Sequence, residues 1–232
     1  MWNGKMKAVT FSYDDGITQD KRFIKLLNKY GLKATFNLNA EKLGEKHALW
    51  LEDRATIAHC KFRPVEVRAV YEGHEIAGHT LTHPRLTTIE DDAEIIRQVE
   101  EDRLRLSELA GYEVVGFAYP CGGVNFDDRV SDLIRKNTGV KYARTIVANH
   151  SFDLQEDLFQ FKPTAHHLSF DQMFAHAEEF LAMNPDSPKL FYIWGHSYEF
   201  DLDDTWETFE EFCRLISGKD DIFYGTNKEV LL

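Results

Sequence analysis

Two hydrophobic rhythms alternate along this chain. "KAVTFSYDDG" (7–16) is rich in β-branched and aromatic residues, is apolar at Val9 and Phe11, and ends in an acidic turn at Gly16, which predicts a strand. "TQDKRFIKLLNKYG" (18–31) then sets Phe23, Ile24 and Leu27 on one face of a helical winding, with Thr18 as N-cap and Gly31 past the end. "LKATFNLNA" (32–40) returns to strand character. Strand, helix and strand within about 30 residues make a βαβ unit, which implies parallel strands. The alternation continues with strands at "HEIAGH" (74–79), "EVVGFAYP" (113–120), "VKYARTIV" (140–147), "FQFKPTAHH" (159–167), "KLFYIWGHS" (189–197) and "DIFYGT" (221–226). Helices are predicted after Pro84, with Thr87 and Glu90 at capping-box spacing and Gly111 at the end, and over 126–139, 169–184 and 205–218. Residues 41–72 yield one helical stretch, Pro64–Tyr71, and an insertion that no pattern assigns.

Seven or eight strands alternate with helices, and no repeat, low-complexity tract or linker interrupts them. The expectation is a single α/β domain over 1–232, folded as a distorted (β/α) barrel. A doubly wound open sheet is the alternative. Both architectures gather their chemistry at the C-terminal ends of the strands.

Composition narrows the partners. The formal net charge of −12 argues against nucleic acid and anionic membrane surfaces, which attract clustered Lys and Arg. Cys60, Cys121 and Cys213 are odd in number and far apart, and read as free thiols in a reducing compartment. No secretory signal or membrane span is visible, so the expected location is cytoplasmic. Nothing in the sequence sets the oligomeric state.

The strand ends carry a recurring set of polar residues. The first ends in Asp14-Asp15, the third in His79 with His83 and the fourth in "YPCGG"; the fifth carries Arg144 and the sixth His166-His167, and the most apolar one ends in Gly195-His196. His79 and His83 lie in "HTLTHP". In a straight strand their rings would be ~13 Å apart, at about 3.3 Å per residue. A shared metal needs its nitrogens about 3–4 Å from each other, because Zn–N bonds are about 2.0–2.1 Å. Such sharing therefore requires a turn here, and Pro84 restricts His83 to turn or extended geometry. One Asp and two His make a three-ligand set with open positions, which leaves the second Asp free to take a proton from water. His196 is placed to protonate a leaving group.

"TFSYDDG", "HTLTH" and "LFYIWGHS", in this order and spacing, resemble the motifs of the polysaccharide deacetylases (NodB homology domain, carbohydrate esterase family 4). The resemblance runs from about residue 7 to residue 200. It implies a distorted (β/α) barrel, with Asp14 as catalytic base, Asp15, His79 and His83 as metal ligands, and His196 as general acid. It also implies an oxyanion donor in the fourth-strand motif, around Tyr119, Pro120 and Cys121. The family's arginine in that motif is missing, since Ala118 stands at its place, and Arg144 is expected to orient Asp14 instead. No Asp-x-x-Asp-Trp type motif occurs. Glu199 could orient His196, although a solvated acid is the preferred reading. Of His166 and His167, His166 is the candidate to line the substrate pocket. Trp194 is the candidate to stack on a sugar face, with Tyr198 and Trp206 as further aromatics.

The implied activity is metal-dependent removal of acetyl groups from an N-acetylated, or O-acetylated, sugar or short oligosaccharide. Zinc is the default ion, and cobalt, nickel and manganese suit the same ligands. Hydrolysis of another small amide, a formamide or cyclic ureide, is the alternative for a cytoplasmic protein. A carbohydrate-binding relative without turnover is the non-enzymatic one. A Cys121 thiol mechanism explains fewer residues than the metal set.

Overall fold

A computed structural model describes residues 1–50 and 56–232. Its strands are β1 Lys7–Asp14, β2 Ala34–Leu38, β3 Lys46–Leu49, β4 Ile57–Cys60, β5 Glu75–Gly78, β6 Gly116–Ala118, β7 Tyr142–Arg144, β8 Ala165–His166, β9 Lys189–Gly195 and β10 Ile222–Tyr224. The helices are α1 Asp20–Lys29, α2 Val67–Val70, α3 Asp92–Ala110, α4 Asp128–Asn137, α5 Phe170–Ala182, α6 Glu199–Leu202, α7 Trp206–Ile216 and α8 Asn227–Leu231. Seven strands run parallel in the order β7-β6-β5-β2-β1-β9-β8, and β10 pairs with the start of β1 below β2. The segment between β7 and β8 curls the sheet into a distorted barrel. Phe161 bridges to Arg144 at one end, and Ala165 and His166 pair with Ile193 and Trp194 at the other. The predicted strand 159–167 is thus split between the two edges of the sheet.

All eight residues of β1 are buried, as both faces of a parallel strand are covered. The alternation sorts them. Val9, Phe11 and Tyr13 pack outward against Phe23 and Leu27 of α1 and Phe209 and Phe212 of α7. On the other face the barrel is filled by hydrogen-bonded polar side chains. Glu75 accepts from Thr35 Oγ1 (2.7 Å) and Tyr142 Oη (2.9 Å), and Asn227, which opens α8, accepts from Thr10 Oγ1 (2.9 Å). Asp14 is the last inward-facing position of β1, and Arg144 ends β7 on the opposite wall.

Two predicted caps differ. Thr18 does not cap α1: a turn precedes the helix, Gln19 takes the N-cap place, and the Thr18 N–H donates to Cys60 O (2.8 Å). Thr87 and Glu90 do not form a capping box. Thr87 Oγ1 donates to Val124 O, and Asp91 caps α3 by accepting from Ala93 N (2.9 Å). Gly111 ends α3 as predicted, at φ 79°, a left-handed position that favours glycine. Within 41–72 the structure adds the antiparallel hairpin β3–β4. The part of that insertion over 51–55 lies outside the described residues. Among the described residues, no helix is long and apolar enough to cross a membrane.

Candidate active site

Asp14 is 2% exposed, and Arg144 is fully buried. Arg144 Nη2 donates to Asp14 Oδ1 (2.6 Å) and Oδ2 (2.5 Å), and Asn37 Nδ2 donates to Oδ1 (2.8 Å). The guanidinium also stacks on Trp194, 4.5 Å from the ring centre. Burial alone would raise the Asp14 pKa, but Arg144, His79 and His196 outweigh it and hold the carboxyl below its usual range. Ala118, where the family arginine was expected, is the register partner of Arg144 across β6 and β7. Arg144 thus reaches Asp14 from the strand next to the one that carries Ala118.

Asp15, His79 and His83 offer ligand atoms that all lie within 4.8 Å of one another. Three left-handed residues build this cluster, Asp15 (φ 81°), Thr80 (φ 69°) and His83 (φ 64°). Such positions are strained for non-glycine residues and concentrate at functional sites. His83 N donates to Thr80 Oγ1 (3.1 Å), which closes the turn and brings the His79 and His83 rings to 4.9 Å. The turn that metal sharing requires is therefore present. His79 Nδ1 lies 2.7 Å from Ala118 O. A carbonyl only accepts, so Nδ1 carries the proton and the Nε2 lone pair is left free. That arrangement is typical of metal-ligating histidines. Burial lowers the pKa of His79 to about 4 and also lowers that of His83, so both are neutral at pH 7, as ligation requires. Asp15 is held well below the carboxylate range, because the neighbouring His59 ring and the charge of Lys61 outweigh its burial. The residues present fit a divalent ion.

On the far side of the cavity His196 follows β9. Its Nδ1 lies 3.3 Å from Glu199 Oε2, and its main-chain N–H donates to the same oxygen (2.9 Å). Glu199 is not a solvated acid: its side chain is 12% exposed, and His167 Nε2 stands 3.2 Å from Oε2. Tyr13 Oη in turn meets His167 Nδ1 at 2.8 Å. Gly195 makes room for this ring, since a Cβ there would lie 2.1 Å from His167 Nδ1. Burial disfavours charge on His196, but Glu199, Asp14 and Asp15 push its pKa up to about 9.

Asp14, Asp15, His79, His83, Cys121, Trp194 and His196 line one cavity of about 290 Å³, together with Tyr119, Gly122, Ile146 and Tyr198. Three expectations need correction. The Tyr119 ring packs in the core and its Oη donates to Phe159 O (2.7 Å), while its N–H donates to Arg144 O (3.0 Å) and is not free for an oxyanion. Pro120 is buried and has no N–H to donate. His166 stands behind His196, edge-on to Trp194, with Nε2 3.6 Å from Glu199. Cys121 borders the cavity at φ 69°, but burial raises its thiol pKa, which opposes a nucleophilic thiolate. Sequence reasoning misses Asn37, Asn39, His59, Lys61 and Ile146. The strand-end rule applied to "NLN" would find the two asparagines. Nothing in the sequence points to the hairpin residues.

A family profile described as Polysaccharide deacetylase matches residues 3–143. The chain belongs to the polysaccharide deacetylase family. Among solved structures it resembles a family 4 carbohydrate esterase from Streptomyces lividans in complex with acetate. That pair is 13% identical with a TM-score of 0.56, over 96% of this chain and 92% of that one. A putative polysaccharide deacetylase from Mycobacterium smegmatis gives a TM-score of 0.64 at 14% identity, over 98% and 90%. A family 4 pseudoenzyme from Bacillus anthracis gives 0.55 at 16% identity, over 97% and 66%. No curated protein matches the sequence. At these identities the structural likeness establishes the fold.

Proposed function

We propose that this family member is a metal-dependent deacetylase that removes the acetyl group from an N-acetylated sugar or short oligosaccharide. The observation that carries the reading is the division between its two adjacent carboxylates. Asp15 is grouped with His79 and His83, while Asp14 is ionised and pinned by Arg144. A divalent ion held by Asp15, His79 and His83, zinc by default, supplies Lewis acidity and acidifies water. Asp14 accepts the proton of the attacking water at Oδ2, the oxygen that faces His79 Nε2 at 3.9 Å. Arg144 is its positioning residue. The Cys121 N–H is the oxyanion donor. His196 turns Nδ1 to Glu199, so Nε2 carries the proton given to the departing amine.

Acetate release from N-acetyl sugars, chito-oligosaccharides and acetylated xylan, with added zinc or cobalt, tests the reading. The cavity volume of about 290 Å³ favours a small substrate. Hydrolysis of a small amide is therefore the second reading if no acetate is released by protein shown to bind metal. Failure on formamides and cyclic ureides as well would place the chain with the non-catalytic relatives.

The role of Glu199 has its own test. In metal-free protein the His196 ring should titrate near 9 by NMR, and Glu199→Gln should lower that value by roughly one pH unit or more. An unchanged titration would show that Glu199 does not hold the acid in its charged form.

A further inference from the structure

The hairpin β3–β4 is fastened to the turn that carries Asp15. Lys61, the residue after β4, forms an antiparallel bridge with Ile17, and Phe62 N donates to Gly16 O (3.3 Å). This pairing directs the Lys61 side chain, 1% exposed, at Asp15. Lys61 Nζ donates to the Asp15 main-chain oxygen (2.5 Å) and to Asn39 Oδ1 (3.2 Å), and lies 3.4 Å from Asp15 Oδ1. His59, two residues earlier, sets Nε2 3.6 Å from Asp15 Oδ2. Asn39 Nδ2 in turn donates to His79 O (2.6 Å) and Thr80 O (3.0 Å), which joins the two ligand-bearing turns. A buried ammonium persists only when it is paired. Here its partner is one of the three groups that a metal ion would need.

We propose that Lys61 is a resident cation that sets the metal affinity of the site, balancing Asp15 when the ion is absent and opposing the ion when it binds. The proposal rests on the metal reading of Asp15, His79 and His83. Two of the three Lys61 contacts, the Asp15 carbonyl and Asn39, lie outside the ligand set. The ammonium therefore stays in place when the Asp15 carboxylate serves an ion. Two positive charges then share one carboxylate in a buried setting, where their opposition is stronger than at a surface. The consequence is an ion held less tightly than its three ligands alone would hold it. A purely structural Lys61 predicts the reverse. If the lysine only braced the turn, neutralising it would loosen the ligands and weaken binding.

The sign of the effect decides between the two. Zinc affinity is measured by competition with a chromogenic chelator, a readout that needs no substrate. Metal-free wild type is compared with Lys61→Gln, which keeps a donor, Lys61→Met, which keeps the stem, and Lys61→Arg, which keeps the charge. Both neutral variants should bind zinc on the order of tenfold tighter than wild type, and Lys61→Arg, which keeps the charge, should bind it no tighter than wild type. Equal or weaker binding by the neutral variants overturns the proposal and leaves the metal reading standing. If all four proteins fail to bind zinc, both fall. Should one neutral variant not fold, the other decides.

Discussion

Asp14→Asn should lower acetate release by about 10²–10⁴-fold, the range that a general base supplies, while zinc is still bound, on the order of tenfold more weakly because a buried negative charge 3.9 Å from His79 Nε2 is lost. The two readouts separate because Asp14 is not among the grouped ligand atoms. The same substitution has a cost in stability. It leaves Arg144, fully buried and bonded to both Asp14 oxygens, without its counter-charge. Breaking a buried ion pair from one side costs about 3–5 kcal/mol, whereas replacing both partners is often close to neutral. Arg144→Met alone should destabilise similarly and reduce turnover, since the base loses the group that orients it. The double variant Asp14→Asn/Arg144→Met should regain much of the stability and none of the activity. Denaturant midpoints and acetate release on the four proteins complete the cycle. Turnover by Asp14→Asn at the wild-type rate would remove Asp14 from the base role.

His83→Ala should abolish metal-stimulated activity, and a chelator should do the same to wild type. Only the wild type should recover when zinc is returned. Outer-shell partners of a metal ligand already cost about 10–100-fold in affinity, so loss of one of three ligands should cost at least that much. His83 is the better choice for this test. Its side chain is 29% exposed, against 2% for His79, so its truncation disturbs the core less. An ion that binds only the native state adds about 2.7 kcal/mol of stability at a hundred times its Kd. Zinc should therefore raise the Tm of wild type and leave that of His83→Ala unmoved. An equal rise in both would exclude His83 from the ligand set.

Much of this site is legible in the amino-acid sequence. Asp14, Asp15, His79, His83 and His196 are named by local rules: each follows a predicted strand, and parallel α/β folds put their chemistry at strand C-termini. The arginine is harder. Arg144 is a candidate in the sequence only because it ends a strand. Its contact with Asp14 depends on the curl of the sheet, which brings β7 to the wall facing β1. Glu199 escapes a sequence reading for a related reason. In "SYEFDLDD" it looks like any solvated acid, and it is buried only because His167 and His196 close over it.

The βα alternation, the family and the strand-end residues follow from the chain alone, because periodicity and motif spacing are local properties. The rest depends on packing. The polar filling of the barrel, the reach of Arg144 to Asp14, and the links from Tyr13 to His167 and from His167 to Glu199 join residues far apart in the chain. The hairpin is the clearest case. Lys61 lies 46 positions from Asp15, in a segment with no legible period. Its side chain reaches the carboxylate because backbone pairing with residues 16–18 directs it there. Register is legible where an alternating hydrophobic pattern fixes the buried face, and the segment around Lys61 carries no such pattern.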